Sequence, residues 1–310
     1  MTPAIRTEGL CKRFGDIIAV EKLDLSIAER AVFGFLGPNG AGKTTTVKML
    51  TGLSRPTGGK AFICDQEVTQ GSVAVRKNFG FLPDVPAFYD WMTGEEYLHF
   101  AGELYGMAYP YLDKRAAEML DIVALQKAAK RKVGGYSRGM KQRLGIAQAM
   151  LNHPKVLFLD EPTSALDPIG RRDVLDLIGR LKEEATVFMS THILSDVERV
   201  CDSVGIINKG RLVVTSTVEE LRNKYAKSVF EIEFEEDPTT FIDTVQARPW
   251  FVKMDKAANG SPAVRITARN VAAARKELPG LIAASYLTLL RYELTQPSLE
   301  DIFVEVVSGS

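Results

Sequence analysis

Hydrophobic and polar residues follow two periods along this chain, and the switches between them mark its organisation. Over residues 4–36, Ile17, Ile18, Val20, Leu23, Leu25 and Ile27 alternate roughly as strands with one buried face do. The run from Ala31 to Leu36 is apolar throughout, and a helix-like run from Thr45 to Thr51 follows the next loop. Arg55-Pro56-Thr57-Gly58-Gly59 reads as a turn, Ala61 to Cys64 as a short strand, and Phe79 to Leu82 as another, stopped by Pro83. The period then becomes helical over about 89–152. Thr93-Gly94-Glu95-Glu96 is a capping box opening a helix with Tyr97, Leu98 and Phe100. Residues 111–129 place Leu112, Ala116, Met119, Leu120 and Val123 at helical spacing. A break at Gly134-Gly135 precedes a helix carrying Met140, Leu144, Ala147 and Leu151.

Beyond the helical block, Val156-Leu157-Phe158-Leu159 has the pattern of a buried strand and ends in Asp160-Glu161. A helix from about Gly170 to Glu184 and a strand from Thr186 to Met189 follow. Ser195-Asp196-Val197-Glu198 reads as a second capping box, and Lys209-Gly210 as the turn of a hairpin. Thr217-Val218-Glu219-Glu220 caps a helix ending near Tyr225. From about 227 the chain is strand-rich, at Val229 to Phe234, Ala263 to Thr267 and Tyr286 to Leu294, with a helix at Val271 to Leu278. Two domains are expected, 1–225 and a small α+β unit at 226–310.

The stretch from Gly37 to Thr45, Gly37-Pro38-Asn39-Gly40-Ala41-Gly42-Lys43-Thr44-Thr45, matches G-x-x-x-x-G-K-[ST]. It sits in the strand–loop–helix context that this phosphate-binding pattern requires. Glycines without a Cβ let backbone N–H groups close on phosphate oxygens, and the helix start adds a positive dipole end. Lys43 should reach the outer phosphates, and the Thr44 hydroxyl should hold Mg²⁺. The alternative is a glycine-rich turn without a ligand.

Asp160, at the end of a buried strand, is the expected Mg²⁺ anchor, and Glu161 a general base for an attacking water. The alternative is a solvated acidic turn. In Tyr136-Ser137-Arg138-Gly139-Met140-Lys141-Gln142-Arg143, Ser137 is a good N-cap, yet Arg138, Lys141 and Arg143 load the positive end of a helix with positive charge. A docked phosphate would reverse the sign of that interaction; side chains pointing into water are the alternative.

Composition changes the picture little. Lys+Arg and Asp+Glu are both 39 in 310 residues, so no nucleic-acid partner is expected. Cys11, Cys64 and Cys201 are too sparse for a disulfide framework or a zinc site. Met1 to Gly15 has no apolar signal core, and the apolar stretch from Leu281 to Leu290 falls short of the roughly 20 residues of a spanning helix. A soluble protein is expected, with any membrane span supplied by a partner.

Together these motifs resemble the ATP-binding subunits of ABC transporters. Gly37–Thr45, Ser137-Arg138-Gly139-Met140, Val156–Glu161, Ser164-Ala165-Leu166-Asp167 and Ser190-Thr191-His192 occur in that family's order. The tail Gln296-Pro297-Ser298-Leu299-Glu300-Asp301-Ile302-Phe303 resembles the ending of the branch that exports drugs, ions, lipids and polysaccharides. The resemblance implies an α/β P-loop NTPase core with an antiparallel β subdomain and an α-helical subdomain, plus the C-terminal α+β domain. It implies an ATPase using ATP and Mg²⁺, paired head to tail with a second copy or a paralogous subunit. An integral membrane permease would hold it at the inner face of the cell membrane, facing the cytoplasm. Ser137 and Gly139 of one copy would touch the γ-phosphate held by Lys43 of the other. Phe14 would stack on adenine, or is plain core. His192 would contact the γ-phosphate, or is a surface histidine. Asp167 would couple the sites across the interface, and doubles as an N-cap before Pro168.

Arg138 stands where a second glycine is usual in the family, although the exporter branch often carries a basic residue there. Asp84 stands where a glutamine usually meets Mg²⁺ and water; a carboxylate can bind the metal but cannot donate. An ordinary loop acid is the alternative. Phe88, Tyr89, Trp91 and Met92 precede the Thr93 cap and suggest a face for the membrane partner, or fold back as core. Four rival readings exist. Repair ATPases split the motifs with a long coiled coil, but no heptad run separates Thr45 from Ser137. Translation ATPases usually carry two such cassettes in one chain, and one is read here. A kinase would not need Ser137 to Met140 or His192. A non-transport ATPase of the cluster-assembly type stays open.

Overall fold

Ile5–Phe14 (β1) and Ile17–Ile27 (β2) pair antiparallel around a turn at Gly15, and the buried positions Leu23, Leu25 and Ile27 of β2 recur every second residue. In this computed structural model, which describes residues 3–224, 229–256, 263–295, 299–300 and 302–303, every residue of Val32–Leu36 (β3) is buried. Lys43–Leu50 (α1) follows the glycine loop. Gly58–Ile63 (β4) pairs with β1, and Gln66–Glu67 (β5) completes a four-stranded antiparallel sheet ordered β2-β1-β4-β5. A single turn, Val73–Arg76 (α2), precedes Phe79–Leu82 (β6).

Between β6 and the next strand stand Gly94–Leu104 (α3), Tyr109–Ile122 (α4) and Arg138–Met150 (α5), the helical subdomain. The Thr93 capping box forms in full: Thr93 Oγ1 accepts from Glu96 N at 3.2 Å, and Glu96 Oε2 accepts from Thr93 N at 2.8 Å. The single helix expected over 111–129 ends at Ile122 instead, because Ala124 takes φ +53°, a left-handed conformation that no α-helix continues. A Cβ on Gly145 of α5 would lie 2.4 Å from Leu82 Cδ1, and one on Gly80 would lie 2.0 Å from Ala149 O. Glycine at both positions lets α5 close onto β6.

Val156–Asp160 (β7), Pro168–Leu181 (α6), Thr186–Thr191 (β8), Leu194–Val200 (α7), Ser203–Asn208 (β9) and Arg211–Thr217 (β10) follow. Strands β9, β3, β8, β7 and β6 are parallel neighbours, with β10 antiparallel at the edge of a six-stranded sheet. β7 and β8 are buried along their whole length. The C-terminal ends of β3, β7 and β8 therefore share one edge, the edge where open parallel sheets place their sites. The expected cap at Ser195 does not form. α7 starts at Leu194, two residues before a Ser195 cap would place it, with no side-chain cap, and Ser195 Oγ accepts from Arg171 Nη2 at 2.7 Å.

The described residues divide into two compact units, one running to Val218 and the other starting at Glu219. Val218–Lys224 (α8) is followed by Val229–Phe234 (β11), Thr239–Gln246 (α9), Phe251–Lys256 (β12), Ala263–Ala268 (β13), Val271–Ala284 (α10) and Leu289–Thr295 (β14). The strands form an antiparallel sheet ordered β12-β13-β11-β14, so α9 and α10 each cross over one strand to reach the next. Phe230, Ile232 and Phe234 pack with Phe241, Val245, Leu278 and Ile282 in its core. α10 passes through Pro279 rather than stopping before it: Pro279 is exposed, so the missing bond faces water, while Ala274, Leu278 and Ile282 stay buried. The last strand starts at Leu289, not Tyr286, which has φ +58°. Tyr225, and Gln296, Pro297, Ser298 and Asp301 of the tail motif, lie outside the described residues.

Candidate functional site

The loop between β3 and α1 is wedged against two neighbouring strands. A Cβ on Gly37 would lie 2.4 Å from Ile207 O, and one on Gly42, at φ +108°, would lie 2.4 Å from Ala19 O. Only glycine fits at either position. Gly42 is also the N-cap of α1, which has no side-chain cap and no acidic residue in its first turn. The helix start keeps its positive end and its N–H groups for an outside anion. Lys43 is buried, and its Nζ donates to Gly37 O at 2.8 Å and Pro38 O at 3.3 Å.

From the neighbouring strand ends come the acids. Asp160 is 2% exposed and accepts hydrogen bonds from Thr44 Oγ1 at 3.2 Å and Ser190 Oγ at 2.5 Å. Ser190 faces it in register across β7 and β8. Glu161 takes φ +49°, a conformation costing about 1–3 kcal/mol for a side-chain-bearing residue. Its N–H is held by Ser190 O at 3.0 Å. The turn brings its carboxylate back over the loop: Oε1 lies 3.2 Å from Lys43 Nζ, and Oε2 lies 2.9 Å from His192 Nδ1. Glu161 is largely shielded, at 11% exposure, while His192 is 42% exposed at the rim. A cleft of about 340 Å³ opens here, lined by Asn39, Gly40, Thr44, Thr45, Asp84 and Ser164 among others. The arrangement offers N–H donors and a cation to a polyphosphate, a base beside it, and oxygen ligands for a cation.

The structure thus gathers Lys43, Thr44, Thr45, Asp160, Glu161, His192 and Asp84 around one cleft, with Asn39, Gly40 and Gly42 in its wall and Gly37, Pro38 and Ala41 in the same loop. Ser164 lines it as well, and the buried Ser190 is bonded to Asp160. Their signal was a hydroxyl closing an apolar strand and one beside the acidic turn. Other candidates stand apart from the cleft. Phe14 is 53% exposed, with Lys12 Nζ 4.9 Å above its ring. Ser137 is exposed and caps α5, accepting from Met140 N at 3.2 Å. Asp167 caps α6, accepting from Gly170 N at 3.2 Å. Around Gly139 a Cβ would meet nothing closer than 4.0 Å, so the fold itself does not demand glycine there.

The charge at the start of α5 is only partly open. Lys141 pairs with Asp90 at 3.0 Å, and Arg143 donates to Val123 O at 3.2 Å, whereas Arg138 is exposed. The aromatic loop divides in the same manner. Phe88 and Met92 pack on the helical core, while Tyr89 and Trp91 are 48% and 66% exposed.

Comparison with known proteins bears on both units. The family model described as ABC transporter matches residues 20–164, and that described as ATP-binding protein DrrA1-3-like, C-terminal domain, matches residues 217–307. The uncharacterized ABC transporter ATP-binding protein YxlF of Bacillus subtilis (strain 168) is 41% identical over 97% of this chain and 98% of its own length. The bacitracin transport ATP-binding protein BcrA of Bacillus licheniformis is 34% identical over 100% and 99%. The daunorubicin/doxorubicin resistance ATP-binding protein DrrA of Streptomyces peucetius is 32% identical over 98% and 92%. A solved ATP-binding subunit of an ABC transporter aligns with a TM-score of 0.65 at 29% identity, covering 72% of this chain and 93% of that one.

Proposed function

Because the chain belongs to the ATP-binding proteins of ABC transporters, and is therefore an ATPase, we propose that it closes head to tail with a second copy or a paralogous subunit over two ATP molecules, reopens on hydrolysis, and so drives an integral membrane permease. The 1–225 domain would bind and hydrolyse ATP, and 226–310 would be an accessory domain. The names of the relatives BcrA, a bacitracin transport protein, and DrrA, a daunorubicin/doxorubicin resistance protein, support a transporter that removes drugs and disfavour the cluster-assembly alternative. The subunit would work at the inner face of the cell membrane through that permease. Among the described residues, no helix is long and apolar enough to cross a membrane.

The observation that carries this reading is the Glu161 carboxylate, held between Lys43 at 3.2 Å and His192 at 2.9 Å. In it, Gly37 to Gly42 cradle the phosphates, Lys43 binds the outer ones, Glu161 takes the proton of the attacking water, and His192 holds the γ-phosphate end. Magnesium fits the donors present: Thr44, Asp160 and Asp84 offer only oxygens, the hard ligands that ion takes. Bound there, it would neutralise charge on the phosphates. Ser137 and Gly139 would come from the other copy, and two features support this. Ser137 is exposed at a helix start, and Gly139 is partly exposed and carries no side chain that would stand between the helix start and a partner's phosphate. Phe14 would meet the adenine and Asp167 the opposing loop. Tyr89 and Trp91 would face the permease.

The decisive experiment is a sizing column. Glu161→Gln with ATP and magnesium should elute as a dimer, and with ADP as a monomer. A monomer under both conditions, for this chain alone and mixed with a paralogous subunit, overturns the proposal.

A further inference from the structure

Three segments around the site converge on a side chain that the reading above does not use. Asp196 of α7 stands four residues past His192 and is completely buried. Its Oδ2 accepts from Thr163 Oγ1 at 2.5 Å, and its Oδ1 accepts from Arg171 Nε at 2.6 Å. Thr163 is itself buried, in the loop that runs from Glu161 to Asp167. Arg171 lies in the first turn of α6, four residues past Asp167. On the other side, Asp196 N donates to Ile193 O at 3.2 Å, and Ile193 N donates to Thr191 Oγ1 at 3.0 Å, so the segment either side of His192 is tied to the same turn.

We propose that Asp196 is a positioning residue for hydrolysis, locking the 162–167 loop and His192 into one register. A buried carboxylate has no water to fall back on, and both its oxygens hold charge-assisted or very short bonds. Sliding the loop past α7 would strand that charge, so loop and helix move as one body. A second copy seated on Asp167 is then felt at His192 and, through the 2.9 Å contact, at Glu161. This inference rests on the dimer reading.

The test uses the full chain and Asp196→Asn, which keeps the shape and removes the charge. Folding is checked by thermal melts, nucleotide affinity by titration, and turnover by steady-state ATPase assay. ATP affinity should stay within about twofold while kcat falls about 10- to 100-fold, the scale of a displacement near one ångström. In a His192→Ala background, Asp196→Asn should lower kcat by no more than about twofold further, because both changes act on one group. Thr163→Val should lower kcat in the same direction, and it carries the test if Asp196→Asn does not fold. A folded variant with parental kcat overturns the proposal, as does a loss that multiplies with that of His192→Ala. Failure of the dimer reading is seen separately, as Glu161→Gln remaining monomeric with ATP.

Discussion

Glu161 and His192 meet through Oε2 and Nδ1 at 2.9 Å, although 31 residues separate them in the chain. The contact exists because β7 and β8 are parallel neighbours, so the residues just past their ends face each other. The other carboxylate oxygen faces Lys43, so a base, a cation and a histidine share one point.

Replacing Glu161 with Gln removes the carboxylate proposed as proton acceptor but preserves the size of the side chain. Turnover should fall about 10²- to 10⁴-fold, the usual contribution of a general base. Nucleotide affinity should change little. Parental turnover in an assay of phosphate release would show that Glu161 is not the base.

Lys43→Ala should act on binding. A charge-assisted bond contributes about 1.5–3 kcal/mol, so ATP should bind roughly 10- to 150-fold more weakly. Titration with a fluorescent ATP analogue reads this directly; an unchanged Kd would remove Lys43 from the phosphate site.

Gly42→Ala tests the wedge. The left-handed backbone alone should cost about 1–2 kcal/mol, and the contact of the new Cβ with Ala19 O at 2.4 Å adds to it. Urea unfolding should show the loss, together with weaker ATP binding as the loop shifts. Gly40, at φ +79° but with nothing within 4 Å, should bear the same change with the backbone penalty only.

Tyr89 and Trp91 lie mostly outside the core, so changing both to Ala should move stability by no more than about 0.5 kcal/mol each. Co-purification with the permease should drop while ATP binding holds. Full retention of the permease would count against this face.

The Thr93 backbone N–H holds the Glu96 carboxyl below the ordinary carboxylate range, with the Thr93 side chain adding to the effect. A lowered folded-state value means that the stabilisation is present above the unfolded pKa and is lost as pH falls through the folded one. Glu96→Ala should therefore destabilise the protein at pH 7. The gap from the parent should close as pH drops below about 4, the usual carboxylate range. Thermal melts across pH 3–7 (about four units, spanning that range) check this; a constant gap would leave the box without its charge component.

Much was readable without coordinates because it is local. The glycine loop before Lys43, the Thr93 box, the Lys209-Gly210 hairpin and the fully apolar Val156–Leu159 strand depend on residues within a turn or two of each other. Their backbone conformations follow from sterics and capping alone. Local rules misjudged the places where packing outweighs propensity. α10 runs through Pro279 because its buried face continues to Ile282, and Ser195 Oγ accepts from Arg171 rather than from the backbone of a helix start. α9 and β12 were missed outright. Asp237 Oδ1 accepting from Thr239 N at 3.0 Å, with Phe241, Ile242 and Val245 beyond, was the available signal for the former.

Sequence by itself determined the chemistry on offer: a phosphate cradle, an acidic pair ending a strand, and a histidine closing another. Which of these groups touch was decided by the order β9-β3-β8-β7. Parallel pairing joins strands through long crossovers, and no local pattern records which strand lies next to which. The third dimension alone could place Ser190 against Asp160 and bury Asp196 between Thr163 and Arg171, because those partners are 30, 33 and 25 residues apart.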